Sequence, residues 1–171
     1  MDAIAASTRH VVHLGAETPR FSGPRGFISH MDATTLAILH RLSLRRLMLE
    51  KGGVREPHWH ANAHELGYCV SGEALITIAA NHAERESFVV SAGDMFFIPS
   101  GAMHSIENLE DGRTELILAF SHEKPEDFGM KAAFGAMTDA VLGNTYDLPA
   151  AAFEALDRGI AIPKIFGLSA T

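Results

Sequence analysis

The sequence predicts an all-β fold, a sandwich or a barrel of many short strands. Short runs rich in Ile, Val, Phe and Thr follow one another through the middle of the chain, and clusters of Gly, Asp, Asn, Pro and Ser separate them. This pattern is typical of antiparallel sandwiches and barrels, including double-sheet jelly rolls. With 171 residues, 47% of them apolar, the chain is long enough to bury a single hydrophobic core.

The chain divides into three predicted regions. Residues 1–26 contain scattered Pro and Gly with little periodicity, and they form an N-terminal arm. Residues 27–121 form the β-barrel. Residues 122–171 contain a charged loop followed by a helical segment.

Within the barrel region, residues 36–50 are assigned to a strand because a Gly52-Gly53 turn and a strand-like segment follow them directly. Six further strands are predicted from their β-branched and aromatic content. They span residues 66–70, 74–79, 87–90, 95–98, 104–107 and 114–120.

Two helices are predicted after the barrel. Residues 130–142 carry Ala, Met and Phe at helical spacing. The run AAAFEALDR begins directly after Pro149 and ends before Gly159, which gives a helix with Pro in its first turn and Gly just past its end.

Composition excludes several classes of function. The formal net charge of -7 repels nucleic-acid backbones and anionic membranes. No apolar run approaches the roughly 20 residues that a membrane-spanning helix needs. The single cysteine, Cys69, has no partner for an intrachain disulfide and is expected to be a buried residue in a reducing compartment. We therefore predict a cytoplasmic protein that binds neither nucleic acid nor membranes.

Four side chains indicate a metal site. His58 and His60 stand two residues apart, so both imidazoles face the same side of a strand. Glu65 follows after a bend, and strand alternation alone does not decide whether Glu65 or its neighbour His64 faces inward. Two imidazoles and a carboxylate suit a divalent Mn, Fe, Co, Ni or Zn ion, and His104 is the candidate for a fourth ligand.

The residues around these side chains resemble a known family, because two stretches match the two cupin motifs at every spaced position. The matching residues are Gly52, His58, His60, Glu65 and Gly72 in the first stretch, and Gly93, Pro99, Gly101, His104 and Asn108 in the second. The resemblance implies a double-stranded β-helix, or jelly-roll barrel, with one divalent metal ion in its mouth. The ligands that it implies are His58, His60, Glu65 and His104, and it leaves His64 facing solvent or supporting the site from outside.

The segment Arg55-Glu56-Pro57-His58-Trp59-His60 is similar to a segment of the oxalate decarboxylase and germin-like branch of the cupins. In that branch, an arginine three positions before the first histidine holds the carboxylate of the substrate or product. A guanidinium suits this role because its paired donors match a carboxylate. Arg55 stands at this position. The alternative is an ion pair of Arg55 with Glu56 or Glu50 on the outside of the barrel.

The resemblance implies a metal-dependent enzyme that acts on a small carboxylate, with oxalate as the first candidate and manganese as the favoured metal. Decarboxylases of the branch carry a proton-donating glutamate on a loop after the last barrel strand. The corresponding loop offers Glu123 and Glu126 as general acids, whose pKa burial would need to raise. The alternative is that both glutamates belong to a solvated charged turn.

The same residues also fit a non-catalytic, metal-containing cupin that binds or stores a small ligand. Turnover of a small acid distinguishes the two hypotheses. We further predict a homo-oligomer, a dimer or larger, because the N-terminal arm and the C-terminal helices can wrap a neighbour and cover exposed sheet edges.

Overall fold

The computed structural model describes residues 10–81, 84–159 and 164–168. Its strands, in chain order, are β1 (Phe21–Gly23), β2 (Gly26–Met31), β3 (Ser43–Leu49), β4 (Gly53–Trp59), β5 (Glu65–Ser71), β6 (Glu73–Ala79), β7 (Arg85–Ser91), β8 (Met95–Ile98), β9 (Met103–Asn108), β10 (Thr114–Phe120), β11 (Phe128–Gly129) and β12 (Ile165–Gly167). One antiparallel sheet has the order β1-β2-β3-β10-β5-β8. The other has the order β11-β4-β9-β6-β7, and β12 also pairs with β4. This all-β architecture confirms the predicted fold class.

The predicted segment 36–50 forms a strand only in its second half, at β3. A turn precedes it because the carboxylate of Asp32 accepts a hydrogen bond from the backbone N–H of Thr34 at 2.8 Å. The end of the predicted arm is also more regular than expected, since β1 lies within residues 1–26 and pairs with β2. Residues 1–9 of the arm lie outside the described residues.

The C-terminal helices differ from the prediction. Two short helices, α1 (Met130–Gly135) and α2 (Asp139–Tyr146), replace the single helix expected over 130–142. The helix predicted over 150–158 is wrong, because only a 3-10 helix at Ala150–Phe153 forms there. Tertiary contacts override helix propensity in this run: Asp157 pairs with Lys131, and the Arg158 guanidinium donates to the carbonyl of Gly135, the last residue of α1. Within the described parts of the chain, no helix has the length and apolarity that crossing a bilayer requires.

The hydrophobic core lies between the two sheets. Alternate residues of β10 are buried along its length, as expected for a strand with one face on the core. The most buried apolar side chains come from both sheets and include Leu47, Ile76, Ile98, Ile106, Leu116 and Phe120, together with Cys69. Gly67 leaves room for one of the core rings, because a Cβ at this position would lie 2.1 Å from the ring of Phe96.

Candidate metal centre

Four buried side chains meet inside the barrel: His58, His60, Glu65 and His104. His58 on β4 and His104 on β9 stand directly opposite each other in the register of one sheet. His60 follows the end of β4, and Glu65 begins β5 in the other sheet. Their candidate ligand atoms all lie within 4.8 Å of one another. The structure thus brings together the four residues that the sequence singled out.

Glu65, rather than His64, faces the interior. Burial alternates along β5, and its inward positions are Glu65, Gly67 and Cys69, all of which are buried. His64 is exposed, and its Nδ1 accepts a hydrogen bond from the backbone N–H of Ser100 at 3.0 Å. The alternation of β5 therefore extends back to Glu65, which places Glu65 inside the barrel and leaves His64 outside.

Backbone carbonyls orient the three imidazoles of the cluster. Each ring places its Nδ1 against a carbonyl oxygen, which can only accept a hydrogen bond, so each Nδ1 carries the proton and each Nε2 presents a lone pair. The carbonyls belong to Glu56 for His58 (2.7 Å), to Glu126 for His60, and to Ala102 for His104 (3.0 Å).

The atoms that face one another at the centre of the cluster are all hydrogen-bond acceptors. The Glu65 Oε2 atom lies 3.2 Å from Nε2 of His60 and 3.3 Å from Nε2 of His104. Within the described residues, none of these three atoms has a hydrogen-bond partner. Buried acceptors at such distances repel one another unless a cation lies between them. Three imidazoles and one carboxylate therefore fit a divalent metal ion.

The environment of His58 also favours metal binding. Burial lowers the pKa of His58 well below its ordinary value, and the neighbouring charge of Arg55 lowers it further. A histidine must be neutral to bind a metal ion. His58 therefore keeps its lone pair available into the acidic range.

A β-bulge in β4 places Arg55 on the same interior face as His58. Residues three apart on a regular strand face opposite sides. The step from Arg55 to His58 is three residues, but it matches a step of only two residues on β9, from Ile106 to His104. Since Ile106 belongs to the core, Arg55 opposite it also faces the interior. Arg55 is 2% exposed, so it does not lie on the barrel exterior, but its Nη1 lies 3.6 Å from Oε1 of buried Glu56, one of the two ion-pair partners of the alternative.

The guanidinium of Arg55 binds a carboxylate of the chain itself. Its Nη2 atom donates to both oxygens of Asp127, at 2.7 and 2.8 Å, while Arg45 donates to Asp127 at 3.0 Å. The Nζ atom of Lys164 lies 3.7 Å from Oδ1 of Asp127. Burial alone would raise the pKa of Asp127, but Arg55 and Arg45 outweigh burial and hold it far below the ordinary value. Neither Asp127 nor Arg45 is among the candidate site residues predicted from the sequence.

The strand β11 positions Asp127. It pairs with the end of β4, where Phe128 stands opposite Trp59 and the two rings stack with centroids 5.5 Å apart. Asp127 directly precedes this pair and is thereby held beside Arg55. The only signal in the sequence was the charge of the 121–127 loop, because a strand of two residues has no readable periodicity.

The two predicted general acids lie in different environments. Glu123 accepts a hydrogen bond from the backbone N–H of Arg41 at 2.8 Å. Backbone hydrogen bonds, including this one, lower the pKa of Glu123, which is opposite to what a proton donor at neutral pH requires. Glu126 has an exposed side chain, and its backbone carbonyl binds His60. The catalytic roles of both glutamates stay predictions.

Comparisons with known proteins agree with this architecture. The chain is 26% identical over 117 residues to the oxalate decarboxylase OxdC of Bacillus subtilis, an alignment that covers 68% of this chain and 30% of that protein. It is 31% identical over 105 residues to an oxalate decarboxylase of Arthroderma benhamiae, covering 61% of this chain and 24% of the relative. The identity to the oxalate oxidase GF-2.8 of Triticum aestivum is 32% over 87 residues, covering 49% of this chain and 39% of the relative.

The fold is shared with a solved structure as well. The oxalate decarboxylase of Bacillus subtilis at pH 4.6 matches with a TM-score of 0.82 at 24% identity, covering 91% of this chain and 40% of that one. The chain therefore spans less than half the length of these relatives. A family model described as cupin matches residues 13–152. Because this match includes the strands of both sheets up to β11 and all four residues of the metal cluster, the chain belongs to the cupin family.

Proposed function

We propose that this chain is a metal-dependent cupin enzyme that acts on a small carboxylate, with oxalate as the substrate, by decarboxylation or by oxidation. The observation that carries the proposal is the cluster of buried acceptors from Glu65, His60 and His104, which face one another at 3.2 and 3.3 Å. The oxalate decarboxylases and the oxalate oxidase among the relatives support oxalate as the substrate.

Manganese is the metal that we propose. The oxalate decarboxylase OxdC of Bacillus subtilis, to which this chain is similar, has Mn(II) centres. Fe, Ni, Co and Zn also suit three imidazoles and one carboxylate. When bound, the ion would supply Lewis acidity toward a carboxylate oxygen of the substrate.

Arg55 would hold the carboxylate of the substrate that lies farther from the metal. Its guanidinium faces the barrel interior and already binds a carboxylate with normal charge-assisted geometry, that of Asp127. The substrate would replace Asp127 on Arg55. Of the two predicted proton donors, Glu126 is the better placed, because its backbone is fixed to His60 and, through a hydrogen bond of 2.8 Å, to Asn62.

Turnover of oxalate tests the proposal. The manganese-loaded protein is incubated with oxalate, and formate, carbon dioxide and hydrogen peroxide are each measured. We expect either formate with carbon dioxide or carbon dioxide with peroxide. Activity should be lost in Arg55→Gln. It should be kept in Arg46→Gln, because Arg46 lies on the face of β3 that is turned away from the barrel interior, where it pairs with Glu115. Loss of equal size in both variants would contradict the proposed role of Arg55.

A non-catalytic cupin that binds a small acid is the second candidate. Two observations favour it. The carboxylate of Asp127 already binds the guanidinium of Arg55, and the pKa of Glu123 is lowered rather than raised. Saturable binding of oxalate by the manganese-loaded protein without any of the three products would favour this candidate.

The predicted homo-oligomer and the cytoplasmic location stay predictions. The outer face of β5 and β8 offers a surface for association, because it exposes large apolar side chains. These are Leu66, Tyr68, Val70, Met95 and Phe97. We expect light scattering at micromolar concentration to give the mass of a dimer or larger assembly, and the mass of a single chain would contradict this.

A further inference from the structure

Arg45 is a second arginine that faces the barrel interior. On β3 it stands directly opposite Leu118 of β10, and Leu118 belongs to the core. Because residues directly opposite each other in neighbouring strands share one face, the side chain of Arg45 points inward as well. This side chain is 6% exposed. The interior therefore contains two guanidinium groups, those of Arg45 and Arg55.

The ring of Phe120 connects Arg45 to the metal cluster. The Cζ atom of Arg45 lies over this ring, 4.6 Å from its centroid. The ring of His60, a member of the cluster, packs edge-on against Phe120 with the two centroids 4.9 Å apart. The charge of Glu65, another member of the cluster, also acts on Arg45. Arg45 therefore belongs to the surroundings of the metal centre and not to a separate site.

Arg45 makes few hydrogen bonds for a buried arginine. Its Nη1 donates to Asp127 at 3.0 Å and its Nη2 to the carbonyl of Pro125 at 3.4 Å, while its Nε has no acceptor among the residues that the structure describes. A guanidinium has five N–H donors, and buried donors are normally satisfied. In the described parts of the chain, Asp127 is therefore the one acceptor at an ordinary distance from Arg45.

The carboxylate of Asp127 lies between the two arginines. It accepts from Nη2 of Arg55 at 2.7 and 2.8 Å and from Nη1 of Arg45 at 3.0 Å. The side chain of Asp127 is 20% exposed and adjoins a cavity of about 320 Å³, which gives it space to turn away. A carboxylate that takes its place on Arg55 would therefore meet Arg45 as well.

The ion pairs around Asp127 contain more positive than negative groups. Among the described residues, three cations take part in them, Arg45, Arg55 and Lys164, and two carboxylates, those of Asp127 and Glu56. When Asp127 turns away, the excess of positive charge increases. An external carboxylate at the same position would restore the balance, because a buried charge needs a partner.

We propose that Arg45 is a second substrate-binding residue, which receives, together with Arg55, the substrate carboxylate that lies farther from the metal. The inference rests on the proposed function, because it assigns a further residue to the same site. Its substrates are small acids whose carboxylate can contact both guanidinium groups at once, as the carboxylate of Asp127 does.

Calorimetric titration of Asp127→Ala with sodium formate tests the inference, against sodium chloride at equal ionic strength. Removing the carboxylate of Asp127 leaves its position open to a small external acid. The protein is titrated as isolated and again after chelation of its metal. We expect saturable formate binding in both preparations. Asp127→Ala/Arg45→Gln should bind formate about tenfold more weakly, because one charge-assisted hydrogen bond is lost.

Asp127→Ala/Arg46→Gln is the matched control. Arg46 follows Arg45 on β3, faces away from the barrel interior and pairs with Glu115, so this variant should bind formate as Asp127→Ala does. Equal formate affinity with and without Arg45 would overturn the inference. Absence of saturable binding to Asp127→Ala, or saturation by chloride with the same affinity, would also overturn it.

Circular dichroism establishes whether each variant is folded. If Asp127→Ala is not, Asp127→Asn and Asp127→Asn/Arg45→Gln replace the pair, because Asn keeps the volume of Asp, and the same tenfold difference is expected. Formate binding after chelation requires neither metal nor turnover, so failure of oxalate turnover would leave these expectations unchanged. Equal formate affinity alongside intact oxalate turnover would remove Arg45 from the site and leave the proposed function standing.

Discussion

Asp127 places both of its carboxylate oxygens on a single nitrogen of Arg55, 2.7 and 2.8 Å from Nη2. Arg55 is the residue that the sequence predicts to hold the carboxylate of a substrate. A carboxylate of the chain itself therefore occupies the position that we propose for the substrate, and binding of an external acid requires that Asp127 be replaced.

Replacing Asp127 removes the ion-pair partner of Arg45 and the closer of two carboxylates beside Arg55, whose other neighbour is Glu56 at 3.6 Å. Arg45 is 5% exposed and Arg55 is 2% exposed, and removing one partner of a buried ion pair is strongly destabilising. We expect Asp127→Asn to lower the free energy of unfolding by about 3 kcal/mol, measured by urea denaturation. Formate should restore part of this loss, because it can bind both guanidinium groups.

Asp111→Asn is the matched control for this prediction. Asp111 pairs with Lys51 on the surface, where its side chain is 94% exposed. Exposed pairs of this kind contribute little, so we expect no measurable change in the free energy of unfolding. Equal losses in the two variants would show that the Asp127 pair is not a buried interaction.

His30 predicts a dependence of stability on pH. Its pKa is lowered to about 4 in the folded chain, chiefly by burial, against an ordinary value of 6.5. Between these values the unfolded chain binds more protons, so this contribution to stability is complete above pH 6.5 and is lost as the pH falls toward 4. The difference in unfolding free energy between the wild type and His30→Gln should shift by about 3 kcal/mol between pH 7 and 4. A difference that does not vary with pH would contradict this.

Gly67 predicts a packing constraint. A Cβ at this position would lie 2.1 Å from the ring of Phe96, so Gly67→Ala forces the ring to move. We expect a loss of about 2 kcal/mol in thermal or urea unfolding, with partial recovery when Phe96→Leu is added. Gly112→Ala is the control, because nothing lies within 4 Å of its added Cβ, and it should change stability by less than about 0.5 kcal/mol.

The geometry of the metal cluster was predictable where it depends on local spacing. His58 and His60 are two residues apart, and this spacing alone places both rings on one face. The choice between His64 and Glu65 depended on the residue at which β5 begins, which alternation within the segment does not specify. The interior position of Arg55 depended on a bulge, and this bulge exists only in the pairing of β4 with β9.

Long-range contacts account for what the sequence did not predict. Asp127 reaches Arg55 through β11, a strand too short to have a pattern, and Lys164, which directly precedes β12, approaches Asp127 from near the end of the described chain. The helix predicted over 150–158 had the expected Pro and Gly at its ends. Its Asp157 and Arg158 instead bind residues of α1 and the turn that follows, which are distant in sequence.

Elemental analysis of protein purified without an affinity tag tests the central claim most directly, with His104→Ala and His64→Ala as a matched pair. His104 belongs to the cluster of buried acceptors. His64 is exposed and directly precedes Glu65, another member of the cluster. We predict about one divalent ion per chain, with Mn or Fe dominant, in the wild type and in His64→Ala, and its loss in His104→Ala. A wild type without metal after reconstitution with manganese, or an equal metal content in His104→Ala, would contradict the account.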